Sequence, residues 1–153
     1  MKEQRKELQV AALCNGTAID HIPTDVVFKV VSLLELEKLD NPITIGNKLE
    51  SKKMRSKGII KISDKYFEED VINKIALIAP NVVLNIIEDY VVVDKKRVEL
   101  PKTIYKIVRC NNPKCITNNE PMVTRFDVID REKIVLRCHY CNLKINKNDI
   151  ELK

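Results

Sequence analysis

Four cysteines in two close pairs constrain this chain more than any other feature. The pairs are spaced C-x4-C and C-x2-C, and 22 residues separate them; the cysteines are Cys110, Cys115, Cys138 and Cys141. Such short spacing lets both sulfurs of a pair face one tetrahedral ion, and four thiolates fill the coordination sphere of Zn²⁺. We therefore predict one structural zinc ion per chain. Two disulfides, a rubredoxin-type iron centre and a redox dithiol remain as alternatives.

The rest of the composition argues against catalysis. The 153 residues include two histidines and three glycines, and neither a G-x-G-x-x-G nor a Walker A pattern is present. No Ser-His-Asp or Cys-His set is indicated, and a zinc ion with four thiolates has no position for a reactive water. We predict a protein without catalytic residues. The formal charge of +5 is compatible with an anionic ligand.

We expect neither an export signal nor a membrane span in this chain. Its start, residues 1–7, is charged and has no apolar core, and no apolar run is long enough to span a bilayer. Paired cysteines in a reducing compartment are more often metal ligands than disulfides. We expect a cytoplasmic protein, and we expect the fifth cysteine, Cys14, to be a small buried hydrophobic residue.

Residues 1–100 predict a mixed α and β domain. Apolar runs indicate strands at 17–22, 43–49, 59–62 and 82–87, with a further strand near residue 90. Helices are predicted from Asp25 to about Lys38, capped by Thr24, and from Glu68 to Pro80; residues 50–57 are predicted to form an exposed basic loop. The order β-α-β-β-α-β is typical of a ferredoxin-like fold, an antiparallel sheet with two helices on one face. The other face remains free for a ligand.

Residues 101–153 predict a second, all-β domain of the zinc-ribbon type, after a boundary at residues 100–102. Strand-like segments lie at 103–108, 122–129, 133–137 and 143–152. A domain of about 50 residues buries little apolar area, so its folding is expected to depend on the metal. The fold class is therefore α+β.

Two lysines are candidates for an anion site in the first domain. Lys61 is predicted on the strand face opposite Ile60 and Ile62, Lys95 follows the last strand, and Asp20 and His21 end the first. Lysines from separate strands could meet as point charges around phosphates, although lysines on strands are usually solvated. Three alternatives remain: a zinc-ribbon protein that binds nucleic acid, an amino-acid sensor and a pure interaction module. The strands lack the aromatic residues with which an RNA-binding sheet stacks bases.

The sequence as a whole resembles the regulatory chain of aspartate carbamoyltransferase, from about residue 7 to residue 150. The resemblance rests on the zinc pairs and on these segments: 8–10, 16–17, 19–23, 43–46, 60–62, 79–80, Asn85, Tyr90 and 92–93. It implies a non-catalytic subunit whose first domain binds the nucleotide effectors CTP, ATP and UTP and pairs with a second regulatory chain. It also implies that the zinc domain docks on the catalytic chain, in an assembly of two catalytic trimers and three regulatory dimers, with no nucleic acid and no membrane as partner.

The resemblance carries particular residues onto this sequence. Lys61 and Lys95 would meet the phosphates, and Asp20 would lie near the ribose. The base and sugar would be lined by Val10, Ala12, Leu13, His21, Ile59, Asn85, Ile87, Tyr90 and Val92.

The chain departs from the enterobacterial pattern of this family at several positions. Ala11 replaces an acid, and Cys14 and Asn15 replace two basic residues, all close to the predicted nucleotide site. The spacer between the cysteine pairs is one residue shorter, and residues 113–114 and 142–143 also differ. The replacements at residues 11, 14 and 15 bear on effector preference. The shorter spacer and the differences at 113–114 and 142–143 bear on the contacts with the catalytic chain.

Overall fold

The computed structural model describes residues 12–52 and 54–153, and the chain divides into two compact units. The first ends at Val98 and the second begins at Glu99. The predicted nucleotide contact Val10 and the substituted position Ala11 lie outside the described residues. Among the residues described, no helix has both the length and the apolar character needed to cross a membrane.

The first unit is a five-stranded antiparallel sheet with two helices. Its elements are β1 (Gly16–Ile22), α1 (Val27–Leu33), β2 (Ile43–Ser51), β3 (Arg55–Ser63), α2 (Glu69–Ile78), β4 (Val83–Glu88) and β5 (Val91–Arg97). The strand order is β2-β3-β1-β4-β5, and all neighbouring strands are antiparallel. This is the predicted β-α-β-β-α-β arrangement with one added edge strand, so the predicted α+β fold is confirmed.

The core of the first unit lies between the helices and one face of the sheet. Ile19, Ile60 and Leu84 occupy paired positions on β1, β3 and β4, and all three are buried. The helices bury Val27 and Val30 of α1 together with residues 72 and 75–77 of α2. Because side chains alternate across a strand, residues 61 and 85 point to the opposite face. One face therefore stabilises the unit, and no helix among the described residues packs on the other.

The first helix is shorter than predicted. It begins at Val27 and ends at Leu33, and a separate 3-10 turn covers Leu36–Lys38. Glu35 breaks the helix with a left-handed φ of 52°, and Val26 precedes the helix without any side-chain cap, so the predicted cap by Thr24 is wrong. A run of β-branched valines has modest helix propensity, which fits this short helix.

Two predictions about loops are also corrected. Residues 50–57 do not form an exposed loop, because β2 runs to Ser51 and β3 begins at Arg55. Likewise β5 continues to Arg97, so Lys95 lies within the last strand of the unit and not after it. Arg55 and Lys57 lie on β3, and residues 94–97, all charged, lie on β5. Charge was a poor guide to loop structure on β5 because an edge strand tolerates charged side chains. On the inner strand β3, Lys57 is paired with Asp20.

The second unit is built from short strands around an apolar centre. The strands are β6 (Thr103–Tyr105), β7 (Val108–Arg109), β8 (Arg125–Asp130), β9 (Val135–Cys138), β10 (Lys144–Ile145) and β11 (Glu151–Leu152). A four-stranded sheet has the order β10-β9-β8-β6, and β11 pairs with β7. The predicted strands at 103–108 and 143–152 are each divided in two; Lys106, with φ of 55°, interrupts the first. Phe126, Ile104 and Leu136 are buried at the centre.

Candidate functional site

Strand register places the two predicted phosphate lysines in one row on the free face of the first unit. Lys61 pairs with Ala18, Ala18 with Asn85, and Asn85 with Lys95. The row crosses four strands, so the two lysine Cα atoms lie roughly 14 Å apart at ordinary strand spacing. Between them, Ala18 offers almost no side chain. Two residues with long cationic side chains thus lie at the two ends of one row, and the Ala18 between them is buried.

A buried ion pair lies next to this row. The Lys57 Nζ atom is 2.7 Å from Asp20 Oδ1, and both side chains are largely buried. The same carboxylate oxygen accepts a hydrogen bond from the backbone N–H of His21 at 2.7 Å. Burial lowers the pKa of the Lys61 ammonium below its ordinary value; the charge of Asp20 opposes this shift and the charge of Lys57 adds to it. Lys57, Asp20 and Lys61 therefore form one electrostatic group.

Lys57 and Arg97 belong to this face, although neither was predicted from the sequence as a site residue. Lys57 precedes Lys61 by four residues on β3, and Arg97 follows Lys95 by two on β5. Arg97 pairs with Val83, which in turn pairs with Asp20. Had both strands been predicted at their full length, the alternation of side chains would have indicated both residues. The error in strand length concealed them.

Five of the predicted base and sugar residues lie at the other end of the sheet: Ala12, Leu13, Ile87, Tyr90 and Val92. Ile87 pairs with Gly16 on one side and with Val92 on the other, so these positions form an apolar end of the sheet. Tyr90 occupies the turn between β4 and β5, and its N–H donates to the carbonyl of Cys14 at 2.9 Å. This bond holds the turn beside residues 12–15, where Ala12 is exposed and Leu13 is half-buried. Cys14 is itself half-buried and not fully buried as predicted.

Asn85 connects the cationic and apolar ends. Its amide oxygen is buried, and no described protein group donates a hydrogen bond to it. An unsatisfied buried acceptor is costly, so this atom is suited to receive a donor from a bound molecule. Ile59 of β3 points to the same face of the sheet as Asn85. It pairs with Gly46 on β2 and is half-buried.

A pocket of about 660 Å³ opens at the cationic end. It is lined by His21, Pro23, Met54, Pro80, Asn81, Val83, Lys95 and Arg97. Of the residues predicted from the resemblance, the pocket includes His21 and Lys95. Lys61, Asn85 and the apolar residues lie outside its lining and on the adjoining sheet surface. A ligand that reached from the apolar end to this pocket would pass over the row of Lys61 and Lys95.

In the second unit, the four predicted metal ligands meet at one point. The four Sγ atoms lie within 4.8 Å of one another, with 3.5 Å between Cys110 and Cys141 and 3.7 Å between Cys115 and Cys138. Four thiolates around Zn²⁺ at about 2.3 Å have edges of roughly 3.8 Å, so the sulfurs fit a tetrahedral ion. All four are free thiols, so the disulfide alternative does not describe this structure.

The surroundings of the sulfurs differ around the cluster. Burial raises the pKa of the Cys110 and Cys138 thiols. Burial acts in the same direction on Cys141, but hydrogen bonds from the Leu143 backbone and the Asn112 side chain outweigh it and lower the pKa of that thiol to about 7. Thiolates are the form that binds metal. The donors around Cys141 thus favour the charged form that a cation needs.

Comparison with known proteins gives matches along nearly the whole chain. Residues 8–99 match the family profile described as aspartate carbamoyltransferase regulatory chain, allosteric domain, and residues 102–151 match the profile of the metal binding domain of the same chain.

Proteins named aspartate carbamoyltransferase regulatory chain are similar over almost their full length. The one from Parabacteroides distasonis is 66% identical over 99% of this chain and 98% of its own, and that from Porphyromonas gingivalis is 60% identical over 97% and 99%. The one from Pyrococcus abyssi is 46% identical over 94% of this chain and 96% of its own.

Proposed function

Because this chain belongs to the aspartate carbamoyltransferase regulatory chain family, we propose that its first unit binds the nucleotide effectors CTP, ATP and UTP. Membership makes the chain a non-catalytic subunit that partners with the catalytic chain. The proposed effector signal is allosteric: nucleotide binding on the first unit changes the activity of the catalytic chains in pyrimidine biosynthesis. The domain limits proposed for these roles are residues 1–100 and 101–153.

The observation that carries this proposal is the row from Lys61 to Lys95 across the free sheet face. Its two cations flank the small side chain of Ala18 and the unsatisfied amide oxygen of Asn85. A nucleoside triphosphate has a group for each part of this face. Its polyphosphate would bind the cations, its hydrogen-bond donors would reach Asn85, and its base would lie at the apolar end near Ile87 and Val92. Asp20 would meet the ribose, as the family resemblance implies.

A pair of adjacent lysines on β5 gives a sharp test. Lys95 lies on the free face, whereas Lys96 lies on the helix face, where its Nζ atom is 3.3 Å from Glu69 Oε2. We expect Lys61→Ala and Lys95→Ala each to weaken CTP and ATP binding about ten- to hundred-fold in calorimetry, since a charge-assisted contact with phosphate is lost. Lys96→Ala removes the same charge from the same strand and should leave the affinity unchanged. If all three variants bound CTP and ATP with equal affinity, the proposed site would be refuted.

The metal-binding unit is proposed to hold one zinc ion and to support association with the catalytic chain. The fit of the four sulfurs to a tetrahedral ion supports zinc, and the small size of the unit makes its folding depend on that ion. The zinc would supply no reaction. Thiolate ligands also require a reducing environment, which supports a cytoplasmic location.

Removal of one thiolate tests the role of the metal in assembly. We expect Cys138→Ser to lose zinc and to elute without the catalytic chain in size-exclusion chromatography with light scattering. Cys14→Ser is the matched control, because Cys14 lies in the first unit and outside the cluster. A Cys138→Ser chain that contains no zinc and still forms the full complex would contradict the proposed role.

We also propose that two regulatory chains associate through their first units, as the resemblance implies. β2 is an edge strand of the sheet, and Ile45 on it is 40% exposed, so the edge offers backbone groups and apolar surface to a partner. Light scattering of the isolated chain tests this directly. A monomer at all concentrations would oppose the proposal.

A thermal-shift panel separates the remaining alternatives. Stabilisation by CTP, ATP or UTP supports the regulatory function. Stabilisation by amino acids alone would indicate an amino-acid sensor, and a salt-dependent shift with an oligonucleotide alone would indicate a nucleic-acid binder.

A further inference from the structure

Three consecutive residues after the second cysteine of the cluster, Thr117, Asn118 and Asn119, surround the first ligand pair. They lie in and just after the 3-10 turn Ile116–Asn118. Thr117 is one of the buried polar residues of the described chain and is 7% exposed. A buried hydroxyl needs a hydrogen-bond partner, so its position beside the cluster requires an explanation.

The partner of Thr117 is a sulfur. The Thr117 Oγ1 atom lies 3.1 Å from Cys115 Sγ. A metal-bound thiolate has no proton to give, so the hydroxyl must be the donor once the ion is present. Such a bond draws electron density from the sulfur, and hydrogen bonds to metal ligands tune both the metal and the orientation of the ligand.

The two asparagines act on the backbone of the same ligand pair. Asn118 Nδ2 donates to the carbonyls of Cys110 and Asn112 at 2.9 and 2.8 Å. Asn119 Nδ2 donates to the carbonyls of Pro113 and Cys115 at 3.0 and 2.9 Å. Each amide therefore uses both of its N–H donors, and the carbonyl of each ligand, Cys110 and Cys115, is held by a different asparagine.

The second ligand pair is held in a different way. The Cys138 N–H donates to the Leu143 carbonyl at 2.9 Å, and the Asn142 N–H donates to the Cys138 carbonyl at the same distance. These backbone bonds close the shorter C-x2-C loop by themselves. The C-x4-C loop has two more residues to order. The Cys115 N–H donates to the Asn112 carbonyl at 3.0 Å and the Asn118 N–H to the Cys115 carbonyl at 2.9 Å, and the asparagine side chains add four further bonds to the loop.

We propose that Thr117, Asn118 and Asn119 are positioning residues for the metal site. Thr117 tunes the Cys115 thiolate through its hydroxyl, while Asn118 and Asn119 hold the first ligand pair in its binding geometry before the ion arrives. The inference rests on the proposed binding of a tetrahedral ion by the four cysteines.

The test uses two measurements on the full chain. In the chain loaded with Co²⁺, the sulfur-to-metal charge-transfer band reports the electron density on the thiolates. Competition with a chromophoric chelator measures the affinity for Zn²⁺. Thr117→Val should shift the band to lower energy and weaken zinc binding about ten-fold or more. Thr117→Ser keeps the hydroxyl and should restore both values. Thr103→Val is the control, because it removes a hydroxyl that contacts Asp127, and not a sulfur, in the same unit.

The asparagine variants should separate positioning from tuning. Asn118→Ala and Asn119→Ala should release zinc faster, with little change in the energy of the charge-transfer band. A Thr117→Val chain with the wild-type band and zinc affinity would overturn the role of Thr117, and asparagine variants with the wild-type release rate would overturn theirs. A wild-type chain that takes up neither ion would overturn both this inference and the proposed metal site.

Discussion

Lys61 shows how one residue can serve both the fold and the proposed function. It stands in the middle of β3 between Ile60 and Ile62, which are fully buried on the opposite face. Its own side chain is partly buried, near Asp20 and Lys57, and this environment lowers its pKa. A cation with a lowered pKa gains from an added negative partner, because a nearby opposite charge favours the protonated form.

The affinity for nucleotide should therefore depend on pH through Lys61. Without ligand, its pKa lies below the ordinary value of 10.5 because burial disfavours the charge. A bound polyphosphate raises the pKa again, so binding takes up a proton in the interval between the two values. Affinity should be full below the unbound pKa and should fall as the pH rises through it. Calorimetry at alkaline pH, in buffers of different ionisation enthalpy, measures this proton uptake.

Lys61→Met is the control for this titration. It removes the titrating group, so the proton uptake that belongs to Lys61 should be absent and the alkaline fall in affinity should be smaller. The same uptake in wild type and Lys61→Met would assign the titration to another group.

At this scale the four cysteines that the structure brings together were predicted from spacing, whereas the sheet residues remain a prediction. The four cysteines were identified from spacing alone, because ligands close in sequence need little knowledge of the fold. Lys61 and Lys95 meet only through the register of four strands, and spacing could not show this. The strand pattern offered their approach only as a possibility, and the resemblance to a known family made it an expectation. Thr117 gave no signal, since its contact depends on the path of a loop.

Among the elements, β3 and α1 make a close contact that the sequence did not reveal. Gly58 of β3 lies against the side chain of Val27 on α1, so that an added Cβ atom would overlap with Val27 Cγ2. The predicted basic loop at 50–57 ended just before this residue, and the true β3 includes both it and Lys57. The apolar pattern underestimated the length of β3 because none of the five added residues is a large apolar residue and two of them, Arg55 and Lys57, are charged. Topology was predicted well because it depends on the order of elements and not on their ends.

Gly58→Ala should destabilise the first unit. The new methyl group must displace Val27, and overpacking of this kind costs about 1–3 kcal/mol. Urea denaturation followed by circular dichroism measures the change in the free energy of unfolding. In the double variant Gly58→Ala with Val27→Ala, the space released by Val27 should remove part of the cost, so the two changes should not be additive. Strict additivity would contradict the proposed overlap.

At the scale of the whole molecule, the two units differ in what stabilises them. The first has a continuous apolar core between its sheet and two helices. The second is smaller, and three of its four cysteines, Cys110, Cys115 and Cys138, are part of its buried centre. Structural zinc contributes roughly 10–16 kcal/mol in small metal-binding peptides, a large part of what such a unit needs to fold.

Removal of the metal should therefore affect one unit and spare the other. After chelation, the amide hydrogens of β8 and β9 should lose protection from exchange, while those of β1 and β3 should keep theirs. Hydrogen exchange read by mass spectrometry resolves the two units in the same sample, and addition of zinc should restore the protection. If the amides of β8 and β9 stay protected after zinc has been removed completely, the unit folds without the ion.

Allosteric coupling requires reciprocity in the complete assembly. If CTP binding on the first unit changes the affinity of the catalytic chain for an unreactive substrate analogue by some factor, that analogue must change CTP affinity by the same factor. Such factors are typically about 5 to 150. Equilibrium titrations of the complex in both directions measure them, and Lys96→Ala should retain the coupling of the wild type. The Lys61→Ala complex should need more CTP to reach saturation. At saturation its coupling factor should equal that of the wild type if Lys61 acts only in binding. Unequal factors in the two directions would exclude a simple linkage between the sites, and factors of one in both would exclude regulation by this nucleotide.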